Sequence, residues 1–421
     1  MASLRLRPWT CTALATLSVS LSPLGLSAQD SAAGGMRLTL GVSQSLGVTR
    51  NPDLAPGETG ISPLATTNLS LGYLTETRTE RLAIDLSGGQ RVDETGAEAE
   101  SPTLSFGYDR ISADADLSLG GSVRRTRANA TLSLADLTAP DGTVVLPTDL
   151  GELTREGTLT RAQLGGTLTW GKTAPVGYRL GVSTVDQTWG GPAAAIRDDS
   201  RTSSINAGIR LDVTPVLRTD VTLTYTRYDV EGSAPTDRLG GSVGLSFDRP
   251  AGAISATLTA QETGSGTRYG LQAARTFTLP GTTLTAGAGV SLAPDGGTQS
   301  TGRLAYSREL PRGQIDLALA RSFATASDGS ERRLTTASAS YAMAFTPLSS
   351  LRIGLDVAQT RDDAGDTALS AALQAAQSFQ LTPDWALSVG AETELRRSSG
   401  TDDARRDSLF VSLGRNFTWR P

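Results

Sequence analysis

The sequence predicts an all-β fold, a closed antiparallel up-and-down transmembrane β-barrel of about 20 strands. Three observations carry that expectation. Apolar and polar residues alternate with period two along the chain. The connections between alternating segments are short and long by turns. The few aromatic residues gather at one end of the strands.

The alternation begins at Leu38, Leu40 and Val42, which interleave with Arg37, Thr39 and Gly41. It recurs at Leu82, Ile84 and Leu86, at Val221, Leu223 and Tyr225, and at Leu351, Ile353, Leu355 and Val357. Twenty such segments lie between Met36 and Trp419. Successive side chains of a strand point to opposite faces, so each segment has one apolar and one polar face. A membrane-spanning strand needs only about 9–11 residues, and no stretch after Leu26 approaches the roughly 20 apolar residues of a membrane helix.

Connections after even-numbered segments are tight and mostly hold proline, as at Thr173-Ala174-Pro175, Pro280-Gly281 and Thr382-Pro383-Asp384. Proline pre-sets a turn dihedral and ends a strand, so these read as hairpin turns. Connections after odd-numbered segments are mostly longer and acidic, as at Asn51 to Ile61, Glu94 to Glu100 and Ala128 to Arg155. An even strand count puts both ends of the barrel on the short-turn side, which is periplasmic in outer-membrane barrels.

On the Leu/Val-bearing parity, nine of the ten even segments end with an aromatic on that side: Tyr73, Tyr108, Trp170, Phe247, Phe277, Tyr306, Phe345, Phe379 and the Phe417/Trp419 pair. Tyr178 and Trp385 open odd segments at the same level. Trp189, Tyr225, Tyr228, Tyr269 and Phe323 form a sparser set toward the long loops. Amphipathic rings collect at membrane interfaces, so a dense girdle is expected on one side and a thin one on the other.

The last segment adds a motif: Ser412, Gly414, Phe417 and Trp419 give a polar residue, a glycine two on, and aromatics three and five after that glycine. This resembles the C-terminal β-signal of Gram-negative outer-membrane β-barrel proteins. The resemblance implies delivery to the barrel assembly machinery and closure of the barrel by this strand. Arg420 and Pro421 follow the final aromatic, where that family usually stops.

The N-terminus reads as a secretory signal peptide over residues 1–28, with Arg5 and Arg7, an apolar run from Thr10 to Leu26, and a cleavage site at Leu26-Ser27-Ala28. Residues 29–35 follow as a short periplasmic segment, and 36–421 form the barrel. The single cysteine, Cys11, lies in the signal, so the mature chain is expected to lack disulfides. The net charge is −5, two units lower without Arg5 and Arg7, which argues against nucleic acid as a partner.

There is no histidine. Known outer-membrane barrel enzymes use one in catalysis, and a serine without an imidazole base is a poor nucleophile, so no enzymatic activity is expected. No cofactor is expected, and carboxylates alone make an uncommon zinc site. Only about seven residues separate the signal from the first strand. They show no box of the kind that energised transporters present, and no plug domain is expected.

The lumen-facing parity carries both signs of charge. Arg81, Asp85, Arg124, Arg210, Asp212, Arg238, Arg352 and Asp356 are the lumen charges singled out, with Glu392, Glu394, Arg396 and Asp316 on the same parity. They either bias solute passage or pair across strands and solvate the wall. The longest loop, Ala128 to Arg155, occupies the position of the inward-folded third loop of general porins. It carries Asp136, Asp141, Asp149 and Glu152 together with Leu132, Leu134, Val144, Val145 and Leu146. An inward constriction and a hairpin extended above the membrane fit this composition equally.

The leading reading is a passive porin-like channel for small hydrophilic solutes. A non-conducting barrel for surface interaction or envelope structure is the alternative, with acidic loops meeting lipopolysaccharide through divalent cations. A polymer exporter is the third. Partners would be outer-membrane lipid and lipopolysaccharide, the assembly machinery and the solutes, and a homo-oligomer is compatible by analogy with porins.

Overall fold

The computed structural model describes residues 34–94, 96–127, 145–146, 157–195, 198–264, 266–326, 331–362, 365–400 and 402–420. The expected signal peptide and most of the Ala128–Arg155 loop, including Asp136, Asp141, Asp149 and Glu152, lie outside these residues.

Twenty strands form the wall in chain order. They are β1 (Gly35–Arg50), β2 (Ile61–Glu76), β3 (Glu80–Asp93), β4 (Gly96–Ile111), β5 (Ala115–Arg127), β6 (Thr158–Trp170) and β7 (Val176–Gly190). Then come β8 (Ser200–Thr214), β9 (Leu217–Val230), β10 (Thr236–Arg249), β11 (Gly252–Thr263), β12 (Gly266–Leu279), β13 (Thr282–Leu292) and β14 (Thr298–Leu310). The circuit ends with β15 (Gly313–Ala326), β16 (Glu331–Thr346), β17 (Ser349–Arg361), β18 (Thr367–Gln380), β19 (Trp385–Ser398) and β20 (Ala404–Trp419). Each pairs antiparallel with the next. β20 returns to β1, in register from Leu38↔Trp419 to Arg50↔Asp407. Closure leaves no sheet edge in the wall, and the strand bearing the terminal motif is the one that closes it.

The alternation read from the sequence is the alternation of the wall. Leu40, Leu69, Leu119, Leu164, Leu258 and Leu409 point outward and are 41–61 % exposed. Their neighbours in sequence face the lumen. A protein surrounded by water would bury such residues; here the apolar atoms form the outer surface. The girdle residues Tyr178, Phe277, Phe345, Phe417 and Trp419 lie exposed on that surface at the short-turn end. Trp170 stacks on Tyr178 across the turn, centroids 5.3 Å apart and 20° from parallel.

The short turns are built as the prolines imply. Between β12 and β13, Pro280 fixes its own φ and Gly281 takes φ +65°, a left-handed value that costs glycine little.

Two expectations need correction. The connection expected over Glu94–Glu100 is mostly strand, because β3 and β4 stay paired from Gly89↔Glu100 to Asp93↔Gly96. A register shift after Ser87, with Ser101 at φ +36°, absorbs Pro102, which has no N–H to give the ladder. The polar composition there reflects a hairpin standing clear of the apolar band. Second, Trp189 and Tyr228 do not join an outer girdle: they are 8 % and 5 % exposed and face inward. Only Tyr225 and Tyr269 of that set are exposed on the outer surface.

Candidate functional site: the lumen and its long-loop end

The inner face is mostly polar and differs along its length. In the short-turn half, Arg81, Asp85, Arg179, Asp220, Asp248 and Arg303 are exposed. In the long-loop half, many inward residues are buried: Ser45 and Thr49 on β1, Thr66 on β2, Arg91 on β3, Thr126 on β5, Gln187 on β7, Arg238 on β10, Arg268 on β12 and Glu394 and Arg396 on β19. Leu64, Leu159, Val185, Trp189 and Leu334 are apolar, inward and also buried there. A hollow tube would leave these positions wet, so chain segments fill the long-loop half.

The β1–β2 loop is one such segment. The Asn51 N–H donates to the Gly60 carbonyl at 2.8 Å and the Leu54 N–H to the Asn51 carbonyl at 3.1 Å. The Asn51 side chain donates to the Ala55 carbonyl at 2.8 Å and accepts from its N–H at 2.9 Å. This knot drives Leu54 into complete burial, at 0 % exposure. Arg406 of β20 donates to the Pro52 carbonyl at 3.5 Å and pairs with Glu394 at 2.6 Å. Asp53 lies 3.7 Å from Arg127 of β5, which also pairs with Glu98 of β4. Arg91 and Asp93, both nearly buried, are 3.3 Å apart. The loop is thereby tied to β20 and to β5.

A second segment comes from further away. The backbone of Val145–Leu146 pairs parallel with Thr325–Ala326 at the tip of β15. By strand order β15 stands nine strands from β6 and ten from β5, on the opposite side of the barrel. The tip can accept a partner because β14–β15 pairing stops at Gly302↔Arg321, whereas β15–β16 pairing runs on to Thr325↔Glu331. The tip also leaves the wall: the Arg268 guanidinium of β12 lies 4.1 Å from the ring centroid of Phe323, across the width of two intervening strands.

The lumen charges divide by role. Arg210 donates to the carbonyls of Gly171, Lys172 and Ala174, at 2.9, 3.1 and 3.0 Å, and so holds the β6–β7 turn. Asp212 bridges Arg210 at 3.1 Å and Arg218 at 3.0 Å. These two belong to wall structure. Arg238 is buried, its guanidinium 5.3 Å from the Tyr228 ring. Arg124 and Arg161 are directly opposed across β5 and β6. Arg352 and Asp356 line a hollow of about 440 Å³ on the inner wall, together with Thr285, Ser307, Asp316 and Ser340. Asp316 accepts from Ser307 at 2.7 Å, Gln314 at 2.9 Å and Ser340 at 3.3 Å, so neutral donors satisfy its carboxylate. Arg81 and Asp85 remain at the open short-turn end.

At the long-loop end of β19, Arg397 donates to Asp403 of the β19–β20 loop at 2.8 Å and holds its carboxyl below the usual carboxylate range. Sequence reading missed Arg91, Arg127, Arg406 and Leu54. Arg91 and Arg406 continue the inward parity of their strands and were legible by extending it. Leu54 sits in a run of turn residues with no pattern to place it.

No family model matches this chain, and no curated protein matches it in sequence. Solved structures share its architecture loosely. The siderophore receptor PirA from Pseudomonas aeruginosa is 10 % identical with a TM-score of 0.47, covering 91 % of this chain and 81 % of that one. PirA from Acinetobacter baumannii is 8 % identical with a TM-score of 0.46, covering 91 % and 81 %. OpdQ from Pseudomonas aeruginosa is 13 % identical with a TM-score of 0.40, covering 92 % of this chain and all of that one. At these values the likeness assigns neither a family nor an activity.

Proposed function

We propose that the protein is an outer-membrane β-barrel acting as a passive, porin-like channel for small hydrophilic solutes, narrowed in the long-loop half of its lumen. One observation carries this reading: a closed wall, apolar outside and mostly polar inside, with Arg81, Asp85 and Asp220 exposed toward the short turns and Arg91, Arg238 and Glu394 covered toward the long loops. The outer surface suits hydrocarbon. The inner surface suits water and dissolved ions, and a barrel of 16–18 strands already leaves an aqueous channel. The short turns then face the periplasm, the N-terminal signal directs export, and Ser412, Gly414, Phe417 and Trp419 present the closing strand to the assembly machinery. The Ala128–Arg155 loop, with Asp136, Asp141, Asp149 and Glu152, supplies the constriction. Its Val145–Leu146 step against β15 supports an inward course over a free-standing hairpin.

Liposome swelling tests this. Folded protein reconstituted in vesicles should admit small neutral sugars and exclude larger ones. Deletion of residues 128–155 should raise the size limit. No swelling with either protein would refute the channel. The second reading, a non-conducting barrel of envelope or surface function, is favoured by the buried apolar set Leu64, Leu159, Val185, Trp189 and Leu334 inside the long-loop half. It expects no swelling before or after the deletion.

A further inference from the structure

The outward face carries charge in an uneven way. On outward strand positions of the short-turn half stand Arg110, Arg249, Arg275, Arg308 and Arg415, and among the described residues the only carboxylate with them is Glu80, which lies 3.6 Å from Arg110. Three of these guanidinium groups lie over girdle rings: Arg249 on Phe247 at 4.4 Å, Arg275 on Phe277 at 4.9 Å, and Arg415 on Phe417 at 4.3 Å and Trp385 at 5.4 Å. Arg249 sits turnward of its ring. Arg275 sits one outward position deeper, on the hydrocarbon side of Phe277, with no ion-pair partner among the described residues. A cation in that place needs a counter-charge from the membrane.

The register shows what lies beside it. Arg275 pairs laterally with Ile254 and with Ala286, which pairs with Leu304. One outward step further from the turns, Ala256, Ala273, Ala288 and Gly302 are directly paired in a row across β11 to β14. The next row is bulky again, with Leu258, Leu271 and Val290. Where neighbouring rows project large side chains, this row leaves a depression of about 740 Å³ on the lipid-facing surface. Six of its nine lining residues stand on outward positions, Ile254, Ala273, Arg275, Ala286, Ala288 and Leu304; Ala274, Gly287 and Arg303 lie on the inward positions between them. The guanidinium stands at the girdle lip, and Ala273 and Ala288 of the depression lie one outward row deeper.

We propose that this trough binds a glycerophospholipid of the short-turn leaflet, with its phosphate on Arg275 and an acyl chain along the Ala256–Ala273–Ala288–Gly302 row. The order matches a lipid in that leaflet, headgroup at the girdle and tail inward. Arginine presents a planar fork of donors suited to phosphate oxygens. The Phe277 ring beneath keeps the guanidinium from folding back onto the wall. The proposal rests on the membrane reading above but not on channel activity.

Native mass spectrometry of the folded, delipidated barrel titrated with dioleoyl phosphatidylglycerol tests it. Retention of a gel form that changes mobility on heating shows that each variant is folded, so failure of the barrel reading is seen separately. The wild type should hold one lipid, and Arg275→Ala should bind it about tenfold more weakly. Ala288→Leu, which fills the trough without touching the lumen, should release it as well, and Arg275→Lys should fall between. Arg308→Ala, at the rim, should bind as the wild type does. Unchanged binding in both Arg275→Ala and Ala288→Leu would overturn the site. Preferential capture of purified lipopolysaccharide over phosphatidylglycerol would also overturn it, because that lipid belongs to the other leaflet.

Discussion

Leu54 shows how a single side chain closes part of a lumen. Its backbone stands at φ +52°, a costly value for a leucine, of order 1–3 kcal/mol. Full burial of its side chain returns about 1.5–3 kcal/mol, so the loop conformation stands only while Leu54 stays packed. Leu54→Ala keeps the strain and removes most of the burial. The β1–β2 loop should then open, and limited proteolysis of the reconstituted barrel should cut within residues 51–60 where the wild type resists; equal resistance would count against an inward-packed loop. Arg210 works at the other end. Losing its three carbonyl contacts should cost on the order of 1–3 kcal/mol, seen as a lower urea midpoint for Arg210→Ala with unchanged permeation, since the residue holds a turn. The residue scale is also where sequence reading stopped. Period two assigns a face to Arg210 and Arg91 alike, but not a partner. Leu54 follows Asn51-Pro52-Asp53, turn chemistry that is the same whether a loop points to water or into a barrel. Trp189 and Tyr228 resemble membrane anchors in the sequence, being aromatic and near strand ends, but their parity places them inside.

At the scale of elements, strand positions and turn sides were legible because both follow from local rules: alternation sets the face and proline sets the stop. The β3–β4 hairpin was not, since its upper part pairs backbone to backbone without any apolar face to reveal it. The contact between Val145–Leu146 and β15 was illegible in principle. It joins segments 180 residues apart through main-chain groups (Val145 with Thr325). A cysteine pair tests it in a chain whose only cysteine lies in the expected signal. Leu146→Cys with Ala326→Cys places two thiols on directly paired residues, within the Cα separation of about 4.4–6.8 Å that a disulfide spans. The double variant should cross-link on oxidation and shift in a non-reducing gel, while Leu146→Cys with Ser307→Cys should not. No cross-link would place the loop elsewhere.

For the whole molecule, one periodicity explains three properties. It closes the wall, because β20 meets β1 with its faces in phase from Leu38↔Trp419 onward. It turns apolar residues outward, and it turns charges toward the lumen. The burial difference between the two halves of that lumen then sets the functional claim: a wide vestibule at the short-turn end leading to a narrowed long-loop end. Single-channel recording in planar bilayers tests that claim most directly. The wild type should give discrete conductance steps, and deletion of residues 128–155 should give larger ones with weaker ion selectivity. Bilayers that stay silent with both proteins, each shown to be folded, would contradict the account.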